Sequence, residues 1–139
     1  MSFLLDTNLI AEAMRPRPDP GVADWQRGVN PNELFLSVVT WAELRRGIVR
    51  LGRGARAERL RYWLEDGLAR QFFRRILPVD LEIADAWGLL RAQRDAIGRP
   101  MGAMDCLIAA TAQVHGLTLV TRNVRDFEGT VSRILCPWA

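Results

Sequence analysis

Short apolar runs alternate with stretches of helical periodicity along the whole chain. The runs that predict strands are 3–5, 34–36, 76–79, 117–121 and 131–135. Between them apolar residues recur every three or four positions, which predicts amphipathic helices. We expect these helices at 9–13, 22–27, 40–51, 60–72, 80–97 and 103–115, with a polar turn or helical start at 122–127. Strands that alternate with helices predict an α/β fold with a mostly parallel sheet covered on both faces.

The length predicts one domain. A chain of 139 residues is the usual size of a single domain, so we expect one core spanning residues 1–139. No apolar run reaches the roughly 18 residues needed to cross a bilayer. Cys106 and Cys136 form neither a close-spaced zinc pair nor a disulfide framework, and no signal peptide is recognisable. These features predict a cytoplasmic protein with reduced thiols and no membrane attachment.

The residue inventory excludes several kinds of chemistry. All 19 basic residues are arginines, and the chain has no lysine, three serines and one histidine. Without lysine there is no P-loop and no lysine Schiff base. The single histidine, His115, ends a predicted helix, where contact with the helix dipole is a better explanation than a catalytic triad. Carboxylates are therefore the expected source of any catalysis.

The charges are unevenly distributed along the chain. Residues 45–75 hold ten arginines against three acids, a local charge of +7, while the remaining residues sum to −4. A basic stretch beside an acidic remainder suits a phosphate-rich partner that is attracted by charge. A solvated helix face would have the same composition, and codon bias would equally explain the missing lysines.

Four acids are predicted at or near the carboxyl edge of the sheet, where open parallel sheets bind ligands. Each also has a purely structural explanation. Asp6 can cap the helix after the first strand, and Glu43 can close a capping box that begins at Thr40. Asp105 can complement a helix dipole, and Asp126 can be an ordinary turn residue.

If these four acids converged in one cleft, separate structural roles would no longer explain them. Two carboxylates about 4 Å apart repel by about 4 kcal/mol at an effective dielectric of 20, so four in one cleft require a cation or shared protons. Oxygen donors without histidine or thiolate favour Mg²⁺ or Mn²⁺ over zinc. Such an ion polarises a phosphate and activates water, so phosphodiester hydrolysis would need no protein nucleophile.

The neighbourhoods of these acids resemble the PIN-domain toxin ribonucleases of VapBC toxin–antitoxin pairs, in particular their FitB-like branch. The resemblance covers nearly the whole chain, and the acids follow one another in the expected order. It is carried by LLDTN at 4–8 with RP at 15–16, LSVVTWAELRRG at 36–47, RILP at 75–78, MDCLIAATA at 104–112, and HGLTLVTRN at 115–123 with DF at 126–127.

The resemblance implies a PIN-like three-layer sandwich that dimerises and cleaves RNA with Mg²⁺ or Mn²⁺. The implied catalytic acids are Asp6, Glu43, Asp105 and Asp126. Asp6 and Asp105 would bind the metal, and Glu43 and Asp126 would act on it directly or through water. The supporting polar residues would be Thr7, Asn8, Thr121 and Asn123.

The leading hypothesis is a metal-dependent endoribonuclease that acts as the toxin of a type II toxin–antitoxin system. Arg45, Arg46 and Arg50 are the candidates for binding RNA. Relatives are silenced by a small DNA-binding antitoxin, for which we expect the helices at 40–51 and 60–72 to form the contact surface. DNA would then be reached only through the antitoxin.

The alternative is a catalytically weak PIN-fold subunit of an antitoxin- and DNA-bound regulatory complex. It is motivated by Asn123, an amide near the position where family members carry an acid. Asp126 stands one helical turn later and would then supply the charge, while Asn123 would hold a water or a phosphate.

Overall fold

A five-stranded sheet forms the centre of the computed structural model, which describes residues 1–139. The strands are β1 (Phe3–Leu5), β2 (Leu34–Ser37), β3 (Ile76–Leu77), β4 (Thr118–Val120) and β5 (Ile134–Leu135). Their order across the sheet is β3-β2-β1-β4-β5, and every neighbouring pair runs parallel. The predicted parallel α/β fold is confirmed, although β3 and β5 are shorter than the apolar runs suggested.

Helices connect the strands on both sides of the sheet. They are α1 (Thr7–Ala13), α2 (Pro20–Gly28), α3 (Val38–Arg50), α4 (Ala55–Tyr62), α5 (Ala69–Gln71), α6 (Leu81–Ala96), α7 (Ala103–His115) and α8 (Val124–Phe127). A 3₁₀ turn (Pro31–Glu33) precedes β2, and a π-helical segment (Trp63–Leu68) joins α4 to α5. None of the helices has the length and hydropathy required to span a membrane.

Two apolar cores lie on opposite faces of the sheet. Leu5 belongs to the core formed with α1, α2, the later part of α3 and the π-helical segment. Its neighbour Leu4 belongs to the core formed with α6 and α7. Successive strand residues point to opposite faces, so one strand contributes to both cores. The predicted three-layer arrangement follows from this division.

The third helix begins earlier than the sequence pattern predicted. Ser37 is the N-cap, because its hydroxyl oxygen accepts the Val39 backbone N–H at 3.0 Å. Thr40 is instead buried inside the helix, and its hydroxyl has no hydrogen-bond partner. The predicted capping box from Thr40 to Glu43 is therefore wrong. Glu43 lies in the second turn of α3, with its side chain free for other contacts.

The last three residues of the sequence dock against the start of the fold. The indole N–H of Trp138 donates to Oε1 of Glu12 at 3.2 Å, and the Ala139 backbone N–H donates to Oδ1 of Asp19 at 2.9 Å. The guanidinium of Arg122 lies 5.8 Å from the Trp138 ring centroid. This cation–π contact ties the docked segment to the loop that follows β4.

Candidate active site

Asp6 is held in place by the end of the neighbouring strand β4 and by the start of α1. Its backbone N–H donates to the Val120 carbonyl at 2.9 Å, which continues the pairing of β1 with β4. Oδ1 accepts the Thr7 backbone N–H at 2.8 Å. Asp6 is therefore the N-cap of α1, which is the structural role that the sequence analysis offered for it. Oδ2 accepts the hydroxyl of Thr121 at 2.7 Å. Asp6 is thus a helix cap and a component of the carboxyl edge at the same time.

Thr121 and Asn8 connect the two chain segments behind Asp6. The Thr121 oxygen accepts the Asn123 backbone N–H at 3.0 Å and the side-chain amide of Asn8 at 3.3 Å. The side-chain Oδ1 of Asn8 in turn accepts the Arg122 backbone N–H at 3.3 Å. The structure therefore brings these predicted supporting residues together around one carboxylate.

Glu43 reaches the same edge from α3. Its Oε1 accepts the hydroxyl of Thr7 at 2.9 Å, a contact between residues 36 positions apart in sequence. Thr7 belongs to the first turn of α1, so this bond couples two helices that begin at adjacent strands. The exposed Glu43 carboxylate is consequently oriented even though it is open to solvent.

The pKa values of Asp105 and Asp6 are both raised at this edge of the sheet. Burial raises the pKa of Asp105 above its ordinary value, and the charges of Asp6, Glu43 and Asp126 raise it further. Burial also raises the pKa of Asp6, although hydrogen bonds from Thr121 and an adjacent amide oppose the change. Asp105 therefore lies close enough to the other three predicted acids for their charges to disfavour its ionisation.

The acids do not form a closed metal cage. No three carboxylate, histidine or cysteine side chains approach closely enough to enclose an ion by themselves. Asp126 is exposed on α8, and Asn123, which precedes that helix, makes no side-chain capping bond. The site is an open cleft, so the sequence-based picture of four tightly converging carboxylates is only partly met.

The donors at the cleft are oxygen atoms. Cys106, although next to Asp105, is buried, and its thiol points to the Trp87 carbonyl at 3.7 Å. Burial raises the pKa of that thiol, which keeps it protonated. His115 lies at the far end of α7. Carboxylates without thiolate or imidazole fit a hard divalent ion that retains several waters, such as Mg²⁺.

The predicted RNA-binding arginines differ in their surroundings. Arg45 forms an ion pair with Glu65 at 2.9 Å. Arg46 and Arg50 are exposed. They lie three and seven positions after Glu43, on the same side of α3. Unlike Arg45, neither of them forms an ion pair with an acid of this chain.

A second group of arginines was missed by sequence reasoning. Arg94, Arg99 and Arg125 line a pocket of about 580 Å³ together with Asp105 and Asp126. They lie outside the basic stretch of residues 45–75 and in three different segments. An arginine in an amphipathic helix normally points to solvent, so the sequence carried no signal that Arg94 would be buried.

The protein has a parallel sheet with helices on both faces and carboxylates at the carboxyl edge of that sheet. This is the α/β architecture that the resemblance to PIN-domain proteins implied. The PIN domain matches residues 3–130. The chain therefore belongs to the PIN-domain family, and the resemblance to its FitB and VapC toxins is confirmed.

Relatives and solved structures agree on this assignment. The chain is 36% identical to Toxin FitB of Neisseria gonorrhoeae, over 98% of each chain. It is also 36% identical to VapC ribonuclease Y4jK of Sinorhizobium fredii, over 98% of this chain and 97% of that protein. The crystal structure of FitAcB from Neisseria gonorrhoeae superposes with a TM-score of 0.92 at 36% identity and covers 98% of both chains.

Proposed function

We propose that this protein is a metal-dependent endoribonuclease and the toxin of a type II toxin–antitoxin system. The observation that carries the proposal is the acid edge itself: hydrogen bonds of 2.7 and 2.9 Å hold Asp6 and Glu43 there, and the charges of both act on Asp105. Such mutual repulsion is costly unless a cation binds there. One relative is named a ribonuclease and another a toxin, which supports both parts of the proposal.

The chain's own residues prepare this cleft before any ligand arrives. Thr121 and Asn8 hold Asp6, and Thr7 holds Glu43. Asp6 and Asp105 would hold Mg²⁺ or Mn²⁺, with Glu43 and Asp126 acting directly or through water. When bound, such an ion supplies Lewis-acid stabilisation of the phosphate and lowers the pKa of a bound water.

The partner surface is proposed on α3 and on the helical segment that runs from the end of α4 to α5. Val49 on α3, Tyr62 at the end of α4 and Phe73 just after α5 leave 66%, 70% and 69% of their surfaces exposed. Apolar exposure of this kind marks protein interaction sites. A small DNA-binding antitoxin is the proposed occupant, because the relatives are toxins and FitB occurs in a complex with FitA bound to DNA. Contact with DNA through that antitoxin, dimerisation and a cytoplasmic location stay predictions.

The decisive test is RNA cleavage by the purified protein with Mg²⁺ or Mn²⁺, with EDTA, and in the variants Asp6→Asn and Asp105→Asn. We expect cleavage with metal, and its loss in EDTA and in both variants. Asp85→Asn is the matched control, because Asp85 is an exposed acid of α6 without an ion pair. Activity that survives chelation or both site substitutions would contradict the proposal.

The second candidate is a PIN-fold binding subunit with weak or no nuclease activity. It is favoured by the open arrangement of the acids, in which no three ligating side chains form a closed group. Calorimetric titration with Mn²⁺ separates the two functions. The nuclease should bind metal and lose that binding in Asp105→Asn, whereas a binding subunit should do neither.

A further inference from the structure

A basic pocket adjoins the acid cleft on the side of α6 and α8. Its walls come from the end of α6, the loop that precedes α7, and α8. Asp105 and Asp126 belong to both the acid cleft and this pocket. A ligand group in the pocket would therefore lie directly beside the proposed reaction centre.

Arg94 is the unusual residue of this basic pocket. Its side chain is only 7% exposed. Nε donates to the Arg99 carbonyl at 2.9 Å, and one terminal nitrogen donates to the Glu128 carbonyl at 3.1 Å. No carboxylate lies within ion-pair distance of its guanidinium. A buried guanidinium that is bonded only to carbonyls keeps its charge uncompensated, and an anion bound in the pocket would offset that cost.

Two exposed arginines from different segments line the same pocket. Arg99 lies in the loop before α7, and Arg125 lies on α8. Neither forms an ion pair with an acid of this chain. The planar guanidinium group matches phosphate oxygens in a two-point contact, which favours phosphate as the bound anion.

The start of α7 contributes to the same wall. Gly102 is its N-cap, lines the pocket and provides no side-chain capping bond. The first backbone N–H groups of a 13-residue helix are thus left for another acceptor. Helix N-termini attract anions through these donors and through the helix dipole.

We propose that this basic pocket binds a backbone phosphate of the RNA strand next to the phosphate that is cleaved. The inference rests on the proposed ribonuclease function and assigns its substrate contact. Arg94 connects the loop before α7 to the end of α8 through its two hydrogen bonds. Arg99 and Arg125 would bind the phosphate oxygens. The pocket would hold the strand in register with Asp105, independently of Arg46 and Arg50 on α3.

The test measures binding of a short fluorescein-labelled single-stranded RNA over a range of salt concentrations, in an Asp6→Asn background with Mg²⁺ so that the strand stays intact. Arg99→Gln with Arg125→Gln should weaken binding about tenfold, as expected when charge-assisted hydrogen bonds are removed. The slope of log K against log salt should become shallower by about 0.7 for each phosphate of a single strand that the protein no longer neutralises. Arg94→Lys should weaken binding by a smaller factor.

Arg133→Gln is the matched control. Arg133 is an exposed arginine, and it lines a separate pocket with Ser2 and Gly116 at the amino edge of the sheet. It should leave both affinity and salt slope unchanged. Circular dichroism of each variant checks that the fold is retained. We expect it to be retained, because the exposed side chains of Arg99 and Arg125 form no ion pair on which folding would depend.

Unchanged affinity and slope in the Arg99/Arg125 double variant would overturn the proposal, as would the absence of RNA binding at low salt with all arginines present. Displacement of the RNA by poly-glutamate but not by tripolyphosphate would also overturn it, and would assign the pocket to an acidic protein segment. RNA that binds through Arg99 and Arg125 but is never cleaved by the protein with intact Asp6 would instead count against the ribonuclease.

Discussion

The hydroxyl of Thr121 donates a 2.7 Å hydrogen bond to Oδ2 of Asp6, a residue 115 positions earlier in the sequence. The bond exists because β1 and β4 pair in parallel with Leu5 opposite Val120, so that both strands end at the same level. Thr121 itself is fully buried. It therefore acts on the site through Asp6 and has no direct path to a large substrate.

Thr121→Val should lower kcat for RNA cleavage by about 10- to 100-fold, the usual effect of removing a residue that orients a metal ligand. KM should change little, because Thr121 is buried and does not touch the strand. Steady-state kinetics on a fixed RNA substrate measures both constants. Thr121→Ser keeps the hydroxyl and should restore most of kcat; equal losses in both variants would show that packing, not the hydrogen bond, matters.

The true start of α3 leads to a pair of opposite stability predictions. Ser37→Ala removes the cap and should lower the free energy of unfolding by about 1 kcal/mol. Thr40→Val removes a buried hydroxyl without a partner, and should raise the free energy of unfolding by about 1 kcal/mol. Urea denaturation followed by circular dichroism measures both values. A helix that began at Thr40 would give the reverse signs.

Docking of the last three residues should make stability depend on pH in the acid range. Burial acts to raise the pKa of Glu12, but hydrogen bonds from Trp138 and Asp19 outweigh it, and the pKa is lowered. A carboxylate with a lowered folded-state pKa contributes stability above its unfolded value of about 4.3, and loses it as the pH falls through the folded value. Trp138→Phe removes the indole donor, so its Tm should decline less steeply below about pH 4.3.

Melting curves of the wild type and Trp138→Phe between neutral and acid pH check this dependence. Glu12→Gln, which has no carboxylate to protonate, should flatten the same part of the curve. Asp85→Asn serves as a control, because Asp85 is exposed and unpaired and should leave the acid decline unchanged. Parallel curves for all four proteins would contradict the expectation.

Gly21 is required for the same docking. A Cβ atom there would lie 2.7 Å from the Ala139 backbone nitrogen and closer still to the Pro137 carbonyl oxygen. Gly21→Ala should therefore lower the free energy of unfolding by about 1–3 kcal/mol, the range seen for overpacked sites. Gly88 lies within α6 with open space at its Cβ position, so Gly88→Ala should instead stabilise by about 0.5–1 kcal/mol. Thermal and urea denaturation of both variants measure this contrast.

Much of the fold could be predicted because each element carries its own local pattern. The apolar run 3–5 stops at Asp6, and the strand ends there. Asp80 precedes a long amphipathic stretch and caps α6 through the Ile83 backbone N–H. Gly116 adopts the left-handed conformation that ends α7. At Asp80 and Gly116 neighbouring residues supply the hydrogen bonds that decide the helix boundary.

Boundaries that depend on competing local signals were predicted less well. Ser37 is followed by Val38 and Val39, and this β-branched pair suggests a continuing strand. Thr40 and Glu43 offered a capping pattern that the chain does not use. The π-helical turn at Trp63–Leu68 has no distinctive spacing of its own, because α4 and α5 continue the same apolar face on either side.

The sequence by itself determined which segments become strands and helices, and that the candidate chemistry belongs to carboxylates. Only the tertiary structure decided the distances among them, because those depend on strand register and helix placement over long separations. It joined Thr121 to Asp6, left the acids as an open cleft, paired Arg45 with Glu65, and buried Arg94 beside that cleft. Local patterns set backbone conformation, whereas contacts between distant residues follow from packing two cores onto one sheet.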